Sequence, residues 1–443
     1  MSGHLGPHPR IAIVGSGISG LAVAHSLRGL ADITLFESGD YFGGHTHTVD
    51  ITLPGPQGSQ HLVTHGVDTG FLVFNERTYP NLISLFAELG VETVKSDMSF
   101  SVKVPGAGAS NNDLEWSGSS LNSVFAQRRN LLNWRFLRML RDITRFNRIT
   151  TALADLNAET AMVQPLGDFL KAHGFSAEFR DWYFLPMMGC IWSCPTDQML
   201  QFPVATMIRF CYNHGLIQVT NRPQWWTVAN GAKTYVDKII AHISDKRLNT
   251  PVRLIERDTE GVRIITDGGA ERFDKVVLAA HSDQSLAMLH NATPAERGVL
   301  GAIRYQANRA VLHTDASVLP ANKLAWAAWN YERSPETASE STQVCLHYLL
   351  NLLQPLPFMQ PVLVSLNPVH EIERTHIMGE FEYTHPVFDL SAIQAQSALA
   401  QLQGQQHTYF CGAWTGYGFH EDGLKSGLKV ARQLIMQTSQ AVA

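Results

Sequence analysis

Near its amino terminus the chain passes from an apolar run through a glycine-rich turn into a helical pattern. Ile11–Val14 predicts a strand, and Gly15–Gly20, with the letters GSGISG, follows it directly. A helix is predicted from Leu21 to about Leu30, and a second strand, Ile33–Phe36, leads into Glu37. A parallel α/β domain that holds a dinucleotide has this order of elements: strand, glycine-rich turn, helix, strand and acidic residue.

Each position of the turn has a physical role in that arrangement. Gly15 allows the tight turn, Gly17 lets backbone amides approach a pyrophosphate, and Gly20 lets the helix pack against the sheet. Ser19 lies just before the predicted helix, whose unpaired N–H groups and dipole favour phosphate. Glu37 is placed to accept hydrogen bonds from the adenosine ribose hydroxyls.

Length and composition narrow the class of protein. A chain of 443 residues predicts two domains rather than one, and a net charge of −5 gives no indication of nucleic-acid binding. The five cysteines are scattered, which favours a reducing compartment over a disulfide framework. Cys190 and Cys194 are four residues apart, a spacing compatible with a redox pair or with two buried structural thiols. We see no secretory signal and no uninterrupted apolar run long enough to span a membrane, so the expected location is cytoplasmic.

An amphipathic helix is predicted within Asn122–Leu153. Leu132, Phe136, Met139, Leu140, Ile143 and Phe146 repeat at helical spacing and predict its apolar face. A basic stripe has the same period and consists of Arg135, Arg138, Arg141, Arg145 and Arg148. The stripe is either a solvated helix face or a surface that docks on anionic lipid headgroups, which would make the protein peripheral on the cytoplasmic membrane face.

Two other stretches bear on domain organisation. Residues 101–113 are rich in Gly, Pro, Ser and Asn and predict a loop leaving the first domain. Pro165–Leu200 is rich in large apolar side chains and predicts either a packed core or the wall of an apolar substrate tunnel. His45 and His47 lie on the same side of an extended segment, but the sequence offers no third ligand nearby, so no metal site is predicted.

Distant segments complete one family pattern: GSGISG with Glu37, the pair Gly43-Gly44, the region of Val252, and CGAWTGYGFHEDGLKSG at 411–427. Together they resemble FAD-dependent oxidoreductases of the flavin amine oxidase superfamily. Within it they are similar to the predicted NAD/FAD-binding proteins related to the N-terminal flavoprotein-like half of plant cyclopropane fatty-acid synthases.

The resemblance implies an α/β architecture with FAD as cofactor and two domains built from discontinuous segments. A Rossmann-type, glutathione-reductase-like FAD domain would comprise residues 1–100, 225–300 and 405–443. An α+β substrate domain of the amine oxidase kind would comprise residues 101–224 and 301–404.

The same resemblance assigns further cofactor contacts. His45 and Thr46 would lie beside the flavin phosphates or ring, and the backbone of Val252 would hold the adenine. Gly412 would end a strand beside the cofactor, and Gly423-Leu424 would open a final helix whose N-terminus faces the pyrimidine side of the flavin.

Three positions depart from the superfamily pattern. Tyr41 stands where an arginine often helps bind pyrophosphate, and Ala413 where an acid often bonds the ribityl chain. Tyr305–Ala310 best matches the strand that places a lysine beside flavin N5 in amine oxidases, and it contains no lysine. This last departure weakens an assignment as an amine oxidase.

The closing loop supplies the candidate catalytic residues. Trp414 and Tyr417 are expected to form an aromatic wall at the ring, and His420 is a candidate for proton transfer. Glu421 and Asp422 are also near, with capping of the final helix as their expected role.

The leading functional hypothesis is desaturation or isomerisation of a fatty-acyl chain, free or in a phospholipid. One alternative is a flavin amine oxidase acting on a soluble amine. Another is a non-catalytic, flavin-bound accessory to a lipid methyltransferase.

Overall fold

The computed structural model describes residues 8–56, 58–108, 112–158, 162, 164–192, 196–218, 222–334 and 344–442. The strands are, in chain order, β1 (Arg10–Val14), β2 (Asp32–Phe36), β3 (Thr48–Gly55), β4 (Gly58–Asp68), β5 (Phe74–Asn75), β6 (Thr93–Ser96), β7 (Phe100–Val104), β8 (Leu114–Ser117), β9 (Trp225–Val228), β10 (Asp245–Arg247), β11 (Val252–Asp258), β12 (Gly261–Thr266), β13 (Gly269–Phe273), β14 (Lys275–Leu278), β15 (Arg304–His313), β16 (Trp329–Glu332), β17 (Cys345–Leu349), β18 (Leu363–Leu366), β19 (Ile377–Val387) and β20 (Thr408–Phe410).

The α-helices are α1 (Ile18–Ser26), α2 (Pro80–Leu89), α3 (Leu121–Val124), α4 (Trp134–Asp155), α5 (Leu166–Ala172), α6 (Ala177–Phe179), α7 (Leu185–Trp192), α8 (Thr196–Met199), α9 (Val204–Asn213), α10 (Lys233–Ile240), α11 (Ser282–Met288), α12 (Pro294–Leu300), α13 (Leu350–Leu353), α14 (Leu390–Ala398) and α15 (His420–Val442). A π-helical turn, Arg180–Phe184, joins α6 to α7. The 3₁₀ turns are Arg128–Leu132, Ala316–Val318, Lys323–Ala325, Arg374–His376, Leu399–Gln401, Gln405–His407 and Ala413–Thr415.

A five-stranded parallel sheet organises the first part of the fold, in the order β10-β2-β1-β14-β20. Because successive side chains of a strand point to opposite faces, Ile11 and Ile13 join one core, with α1, α10 and α15. Ala12 and Val14 join the opposite core, with α12, α14 and the three-stranded sheet β11-β12-β13. Both faces are therefore covered, and the carboxyl ends of the strands meet at one edge, where such folds bind ligands.

A seven-stranded sheet, in the order β19-β15-β18-β17-β16-β7-β8, organises the second part. Its neighbouring strands are antiparallel except for β16 and β7, which are parallel. Its apolar side chains share one core with those of α4, α5, α7 and α9. The mixed α/β fold agrees with the sequence-based prediction, whereas the domain boundaries given above stay a prediction.

Two predicted elements have different limits in the structure. Helix α1 begins at Ile18 and ends at Ser26 rather than running from Leu21 to Leu30, because Gly17 is its N-cap and Gly29 takes a left-handed φ of +73°. The predicted loop at 101–113 is wrong over residues 101–104, which belong to β7. The glycines and the proline of that stretch form the turn between β7 and β8 instead.

Two predictions near helix ends also need correction. Leu132 is not on the buried face of α4; it lies in a 3₁₀ turn before the helix and is 92% exposed. The buried face of α4 instead includes Phe136, Met139 and Phe146. The final helix begins at His420 rather than at Gly423. None of the helices in the described ranges is long and apolar enough to cross a bilayer.

Candidate functional site

The glycine-rich turn between β1 and α1 is packed tightly on all sides but one. Gly15 has a φ of +102°, and a Cβ there would lie 2.7 Å from the carbonyl oxygen of Ala279. A Cβ on Gly20 would lie 2.0 Å from the carbonyl oxygen of Gly15. By contrast, a Cβ on Gly17 would meet no atom within 4 Å. Open space therefore lies beside the N-cap of α1, where the helix has no side-chain cap.

The second glycine pair lies directly over this turn. Gly43 and Gly44 have φ values of +125° and +58°, and a Cβ on Gly44 would lie 3.2 Å from the Cα of Gly17. The amide of Gly43 donates to the hydroxyl of Ser16 at 3.1 Å. The carboxylate of Glu37 accepts from the amide and hydroxyl of Ser16, at 3.0 and 2.6 Å. Glu37 therefore stabilises the turn, and it also lines a cavity beside it.

Tyr41, which replaces the arginine of the superfamily pattern, supports the same loop. Its ring stacks on His47 with 4.1 Å between the centroids, and its hydroxyl donates to the carbonyl of Gly44 at 3.1 Å. The position therefore holds the loop in place without supplying a positive charge.

A cavity of about 390 Å³ extends from the turn into the space between the two large sheets. At the turn it is lined by Gly15, Gly17, Ser19, Glu37, Gly43, Gly44 and His45. At the other end it is lined by Leu72, Met98, Cys190, Ile191, Phe210, Leu216, Trp225, Trp329 and Tyr348. Gly412, Trp414 and His420 line its side.

Several predicted contacts lie away from this cavity. Val252 begins β11 and Leu424 is buried in the core between α1 and α15, and neither lines the cavity. Gly423 serves helix packing, because a Cβ there would lie 2.8 Å from Ile18 and 3.0 Å from the hydroxyl of Ser19. Gly412, by contrast, lines the cavity, and a Cβ there would lie 2.3 Å from the indole nitrogen of Trp414. The roles of Val252 and Leu424 toward FAD stay predictions.

His420 is held by contacts from three segments that are distant in sequence. Its ring stacks on Phe71, with centroids 3.9 Å apart and planes 13° apart. Its Nε2 is hydrogen-bonded to the hydroxyls of Tyr235 at 2.7 Å and Thr46 at 3.2 Å. Exclusion of water, together with nearby His45, lowers the pKa of His420 to about 3, so the imidazole is neutral at physiological pH.

A second group of histidines surrounds His45 at the middle of the cavity. The ring centroids of His281 and His385 lie 6.3 and 5.5 Å from that of His45, and burial lowers the pKa of all three to between about 3 and 4. The Nε2 of His45 is shielded from solvent and has no hydrogen-bond partner in the protein. An orphaned polar atom in a cavity indicates a position where a bound molecule completes the hydrogen bonding.

The strand that lacks the N5 lysine carries Tyr305 to the cavity instead. Its ring stacks on His281 at 4.3 Å, and its hydroxyl accepts from the amide of Ser282 at 2.8 Å. Among the described residues that line the cavity, none is a lysine or arginine, and Glu37 is the one carboxylate.

Sequence reasoning missed Phe71, His281 and His385 as cavity residues. Phe71 follows β4 and Gly70, and both Gly70 and Phe71 line the cavity. His281 lies just beyond β14, at the carboxyl edge of the parallel sheet where ligands bind. That topological rule would have found His281, whereas His385 is brought in by β19, whose pairing with β15 the sequence did not reveal.

The predicted aromatic wall is divided between two places. The indole of Trp414 faces the cavity and donates to the carbonyl of Ala280 at 3.1 Å. Tyr417 instead lines an adjoining cleft, together with Arg77 and Lys425, whereas His214 lines both the cleft and the cavity. Its carbonyl accepts from the indole of Trp192 at 3.3 Å. The structure therefore does not bring Tyr417 to the cavity beside Trp414.

Glu421 and Asp422 serve as caps, but at two different sites. Glu421 accepts from the amides of Asn81 and Leu82 at 3.1 and 3.0 Å, so it caps α2 rather than its own helix. Asp422 accepts from the amides of Tyr417 and Phe419 at 3.0 and 3.1 Å and fixes the loop before α15. Burial raises the pKa of Asp422 to about 6.

A buried polar cluster lies in the seven-stranded sheet, apart from the cavity. Possible metal-ligand atoms of Glu332, Cys345 and His347 lie within 4.8 Å of one another. Lys103 contacts the carboxylate of Glu332 at 2.9 Å, and the Nε2 of His347 lies 3.2 Å from the same carboxylate. Both side chains therefore already contact the carboxylate, so we interpret the cluster as a hydrogen-bonded, ion-paired network. Cys345 and Cys190 are buried free thiols, and Cys194, the proposed partner of Cys190, lies outside the described residues.

The residues around the turn fit FAD. The space beside Gly17 and the uncapped N-terminus of α1 suit a pyrophosphate, Glu37 lies where a ribose binds, and the orphaned Nε2 of His45 lies farther along the cavity. Gly43 and Gly44 complete the wall on this side. These residues would hold the cofactor. Thr46, predicted as a cofactor contact, does not line the cavity; it is buried, and its hydroxyl is hydrogen-bonded to Tyr235 and His420.

Comparisons with known proteins agree with this interpretation. A family model described as flavin containing amine oxidoreductase matches residues 18–349. No curated protein sequence matches the chain.

Solved structures share the fold at low sequence identity. A CLA-producing fatty acid isomerase from P. acnes is 16% identical with a TM-score of 0.65, over 97% of this chain and 99% of that one. Wild-type putrescine oxidase bound to putrescine gives the same identity, score and coverage. Cyclohexylamine oxidase from Brevibacterium oxydans IH-35A is 17% identical with a TM-score of 0.64, over 97% of this chain and 100% of that one.

Proposed function

Because the chain belongs to the flavin-containing amine oxidoreductase family and is therefore an FAD-dependent oxidoreductase, we propose that it desaturates or isomerises a fatty-acyl chain. Bound FAD supplies hydride transfer. The residues of the chain must then hold an apolar substrate against the flavin, exclude water, and accept or donate one proton.

The lining of the cavity is the observation that carries this proposal. Beyond the turn its walls are Leu72, Met98, Ile191, Leu216 and Trp329, without a formally charged side chain among the described lining residues. The cavity histidines are neutral because their pKa values are lowered. An ammonium group would lose its hydration there without gaining a carboxylate partner, whereas an acyl chain loses nothing on entering.

Two residues have proposed roles toward the reacting carbon atoms. His420 lines the cavity as a neutral imidazole held by Phe71, Tyr235 and Thr46, so it is the proposed group for proton transfer. Trp414 forms a fixed apolar wall beside it. In desaturation a C–H hydride leaves one carbon and a proton leaves its neighbour; in isomerisation both return, at shifted positions.

The shared fold of the fatty acid isomerase is compatible with this proposal, and the shared fold of the two amine oxidases keeps amine oxidation as the second candidate. A small amine that binds in its neutral form would avoid the cost of burying an ammonium group. The absence of a lysine from the Tyr305 strand counts against that candidate.

The test is anaerobic incubation of the holoenzyme with unsaturated free fatty acids, with phospholipid and, separately, with small amines. We expect either bleaching of the flavin absorbance with a desaturated product, or a product with a shifted double bond and no net bleaching. Lipids unchanged by mass spectrometry, with bleaching by an amine, would replace the proposal with amine oxidation. Unchanged flavin and substrates throughout would favour the non-catalytic accessory role.

A substitution within the cavity sharpens the test. Leu216→Asp adds a carboxylate to the apolar wall and should lower acyl turnover by roughly tenfold or more, because binding of the chain would remove water from a charge that gains no partner. Leu216→Met is the matched control and should retain turnover. Higher activity of the aspartate variant toward an amine, without loss of acyl turnover, would contradict the proposed basis of specificity.

A further inference from the structure

Five large apolar side chains are exposed within one short part of the chain, residues 121–141, which we call the docking segment. They lie on α3, on the 3₁₀ turn Arg128–Leu132 and on the first turns of α4. Their exposed fractions are 80% for Leu121, 51% for Leu131, 92% for Leu132, 65% for Trp134 and 42% for Leu137. Single exposed leucines are ordinary, but a group this dense marks an interaction surface.

The same segment is strongly basic. It contains Arg128, Arg129, Arg135, Arg138 and Arg141 and no acidic residue, although the whole protein has a net charge of −5. All five arginines are exposed. Charge and apolar surface are therefore concentrated in one place rather than on opposite faces of a solvated helix.

Neighbouring residues hold this surface in shape. The guanidinium of Arg128 donates to the carbonyl of Phe125 at 2.8 Å, and so ties α3 to the 3₁₀ turn without neutralising its charge. Arg138 lies over the ring of Trp134, 4.8 Å from its centroid. The buried carboxylate of Glu178 pairs with both Arg135 and Arg138. The surface is thus preformed, and its rigidity lowers the entropic cost of binding.

A second loop extends the surface with the same composition. The side-chain amide of Asn322 donates to the carbonyl of Ala126 at 2.8 Å, which places the 3₁₀ turn Lys323–Ala325 beside α3. In that turn Lys323 is exposed and Leu324 is 46% exposed.

We propose that the docking segment binds the surface of a bilayer containing anionic lipids. Leucine and tryptophan side chains enter the headgroup–acyl boundary, while arginines around them meet the phosphates. A second copy of this chain fits the surface poorly, because a two-fold contact would bring five arginines against the same five. The inference concerns how the protein is placed, and it does not depend on which substrate the cavity takes.

The structure also indicates which substitutions make a fair test. Arg138 and Arg145 have structural partners, Glu178 and the carbonyl of His173, so their reversal would perturb the helix itself. Better choices are Leu132→Ser with Trp134→Ser, and Arg129→Glu with Arg141→Glu. Leu62→Ser with Leu156→Ser matches the first pair, since these leucines are 61% and 79% exposed outside the segment. Arg28→Glu with Lys429→Glu matches the charge change of the second, since both side chains are exposed outside the segment.

The experiment is flotation of the flavin-loaded protein with vesicles of phosphatidylcholine alone or mixed equally with phosphatidylglycerol. We expect binding to the mixed vesicles only, weakened by salt, and reduced at least about tenfold by either variant pair within the segment but not by its control. Flavin absorbance and circular dichroism report that each variant is folded.

Three outcomes would overturn the proposal. The first is absence of binding to the mixed vesicles at low salt. The second is a loss of vesicle binding in the control variants equal to that in the segment variants. The third is a dimer in size-exclusion chromatography that Leu132→Ser with Trp134→Ser dissociates, while vesicle binding stays undetectable. The last would make the surface an interface between copies. Because flotation needs no turnover, failure of the proposed acyl reaction would leave this result unaffected.

Discussion

The buried network of Lys103, Glu332 and His347 should make the stability of the protein depend on pH in a specific direction. Burial alone would lower the pKa of His347, but Cys345 and Glu332 beside it raise that pKa from 6.5 to about 9. Burial alone would raise the pKa of Glu332, but hydrogen bonds from His347 and Lys103 lower it to about 2.

The signs follow from comparing the folded and unfolded chains. A histidine with a raised pKa stabilises the fold fully below about pH 6.5, and that contribution is lost as the pH rises through about 9. The contribution of Glu332 is present above about pH 4.5 and is lost as the pH falls through about 2. Both act fully between about pH 4.5 and 6.5, so stability should decline from there toward pH 9. For His347 the difference corresponds to an upper value on the order of 3 kcal/mol.

Glu332→Gln is the perturbation that tests this reasoning. The side chains of Glu332 and His347 are 3% and 1% exposed and that of Lys103 is 17% exposed, so the substitution leaves buried cations without their counter-ion. Breaking such a pair costs about 3–5 kcal/mol. The decrease in the free energy of unfolding should be largest near pH 6 and smaller near pH 9, where His347 releases its proton. It should not vanish, because Lys103 keeps its charge.

The assay is urea unfolding followed by circular dichroism at pH 6, 7.5 and 9. Glu380→Gln is the control, because Glu380 pairs with Arg309 in the same sheet at 48% and 53% exposure and should change stability little. A Glu332→Gln variant as stable as the wild type at pH 6, or one whose deficit is constant up to pH 9, would refute the reasoning.

Three further predictions concern the cofactor site and the cap of α2. The Gly17→Ala variant should fold normally but lose flavin affinity by roughly tenfold or more, because its methyl group fills the space beside the N-terminus of α1. The Gly20→Ala variant should have a lower melting temperature, because its methyl group would overlap a backbone oxygen. Flavin content and thermal unfolding of the two variants separate these effects. Equal flavin loss and equal melting temperatures in both variants would contradict the assignment of the space beside Gly17 to the pyrophosphate. Glu421→Gln should destabilise the protein by about 1 kcal/mol through the cap of α2. Glu88→Gln is its control in urea unfolding, because the Glu88 side chain is on the same helix and is 60% exposed. A loss of turnover without loss of stability would instead indicate a catalytic role for Glu421. His420→Gln should lower turnover by about a hundredfold without changing the shape of the pH–rate profile between about pH 5 and 9, because His420 is neutral throughout that range; an ionisation near pH 6.5 that this variant removes would disprove it.

The sequence identified the glycine-rich turn and Gly43-Gly44 because their signals are local, whereas Val252, Gly423 and Leu424 were expected to contact the cofactor and do not line the cavity. The turn from Gly15 to Gly20 and the pair Gly43-Gly44 carry their function in backbone geometry, and the left-handed φ values of Gly15, Gly43 and Gly44 favour glycine. The cavity walls were harder, because Phe71, His385 and Trp329 come from separate segments and meet only when two sheets assemble. Glu421 shows the same limit: its position predicted a cap, but its partner is a helix more than 300 residues earlier in the chain.

The docking segment shows a different kind of limit. Helical periodicity placed Leu132 on a buried face, because a repeat of apolar residues does not reveal where a helix begins. Asn133 caps α4 with its side chain and so leaves Leu132 outside the helix, exposed to solvent. Asn133, a polar residue suited to an N-cap, was the signal that the helix begins after Leu132. The longer apolar repeat pointed to an earlier start.

The packing of α1 against α15 has a consequence for how the enzyme is made. A Cβ on Gly427 would lie 2.3 Å from the carbonyl of Ser19, so the helix that begins at the phosphate turn and the last helix touch backbone to backbone. A ribosome releases residues 420–442 only after everything on which they pack. We therefore expect a chain stopped after Phe410 to retain no flavin, as absorbance of the purified fragment would show, and flavin retention in such a fragment would disprove this. Cofactor loading would thus be a late step of biosynthesis, possible only after α15 has been synthesised and has packed on α1.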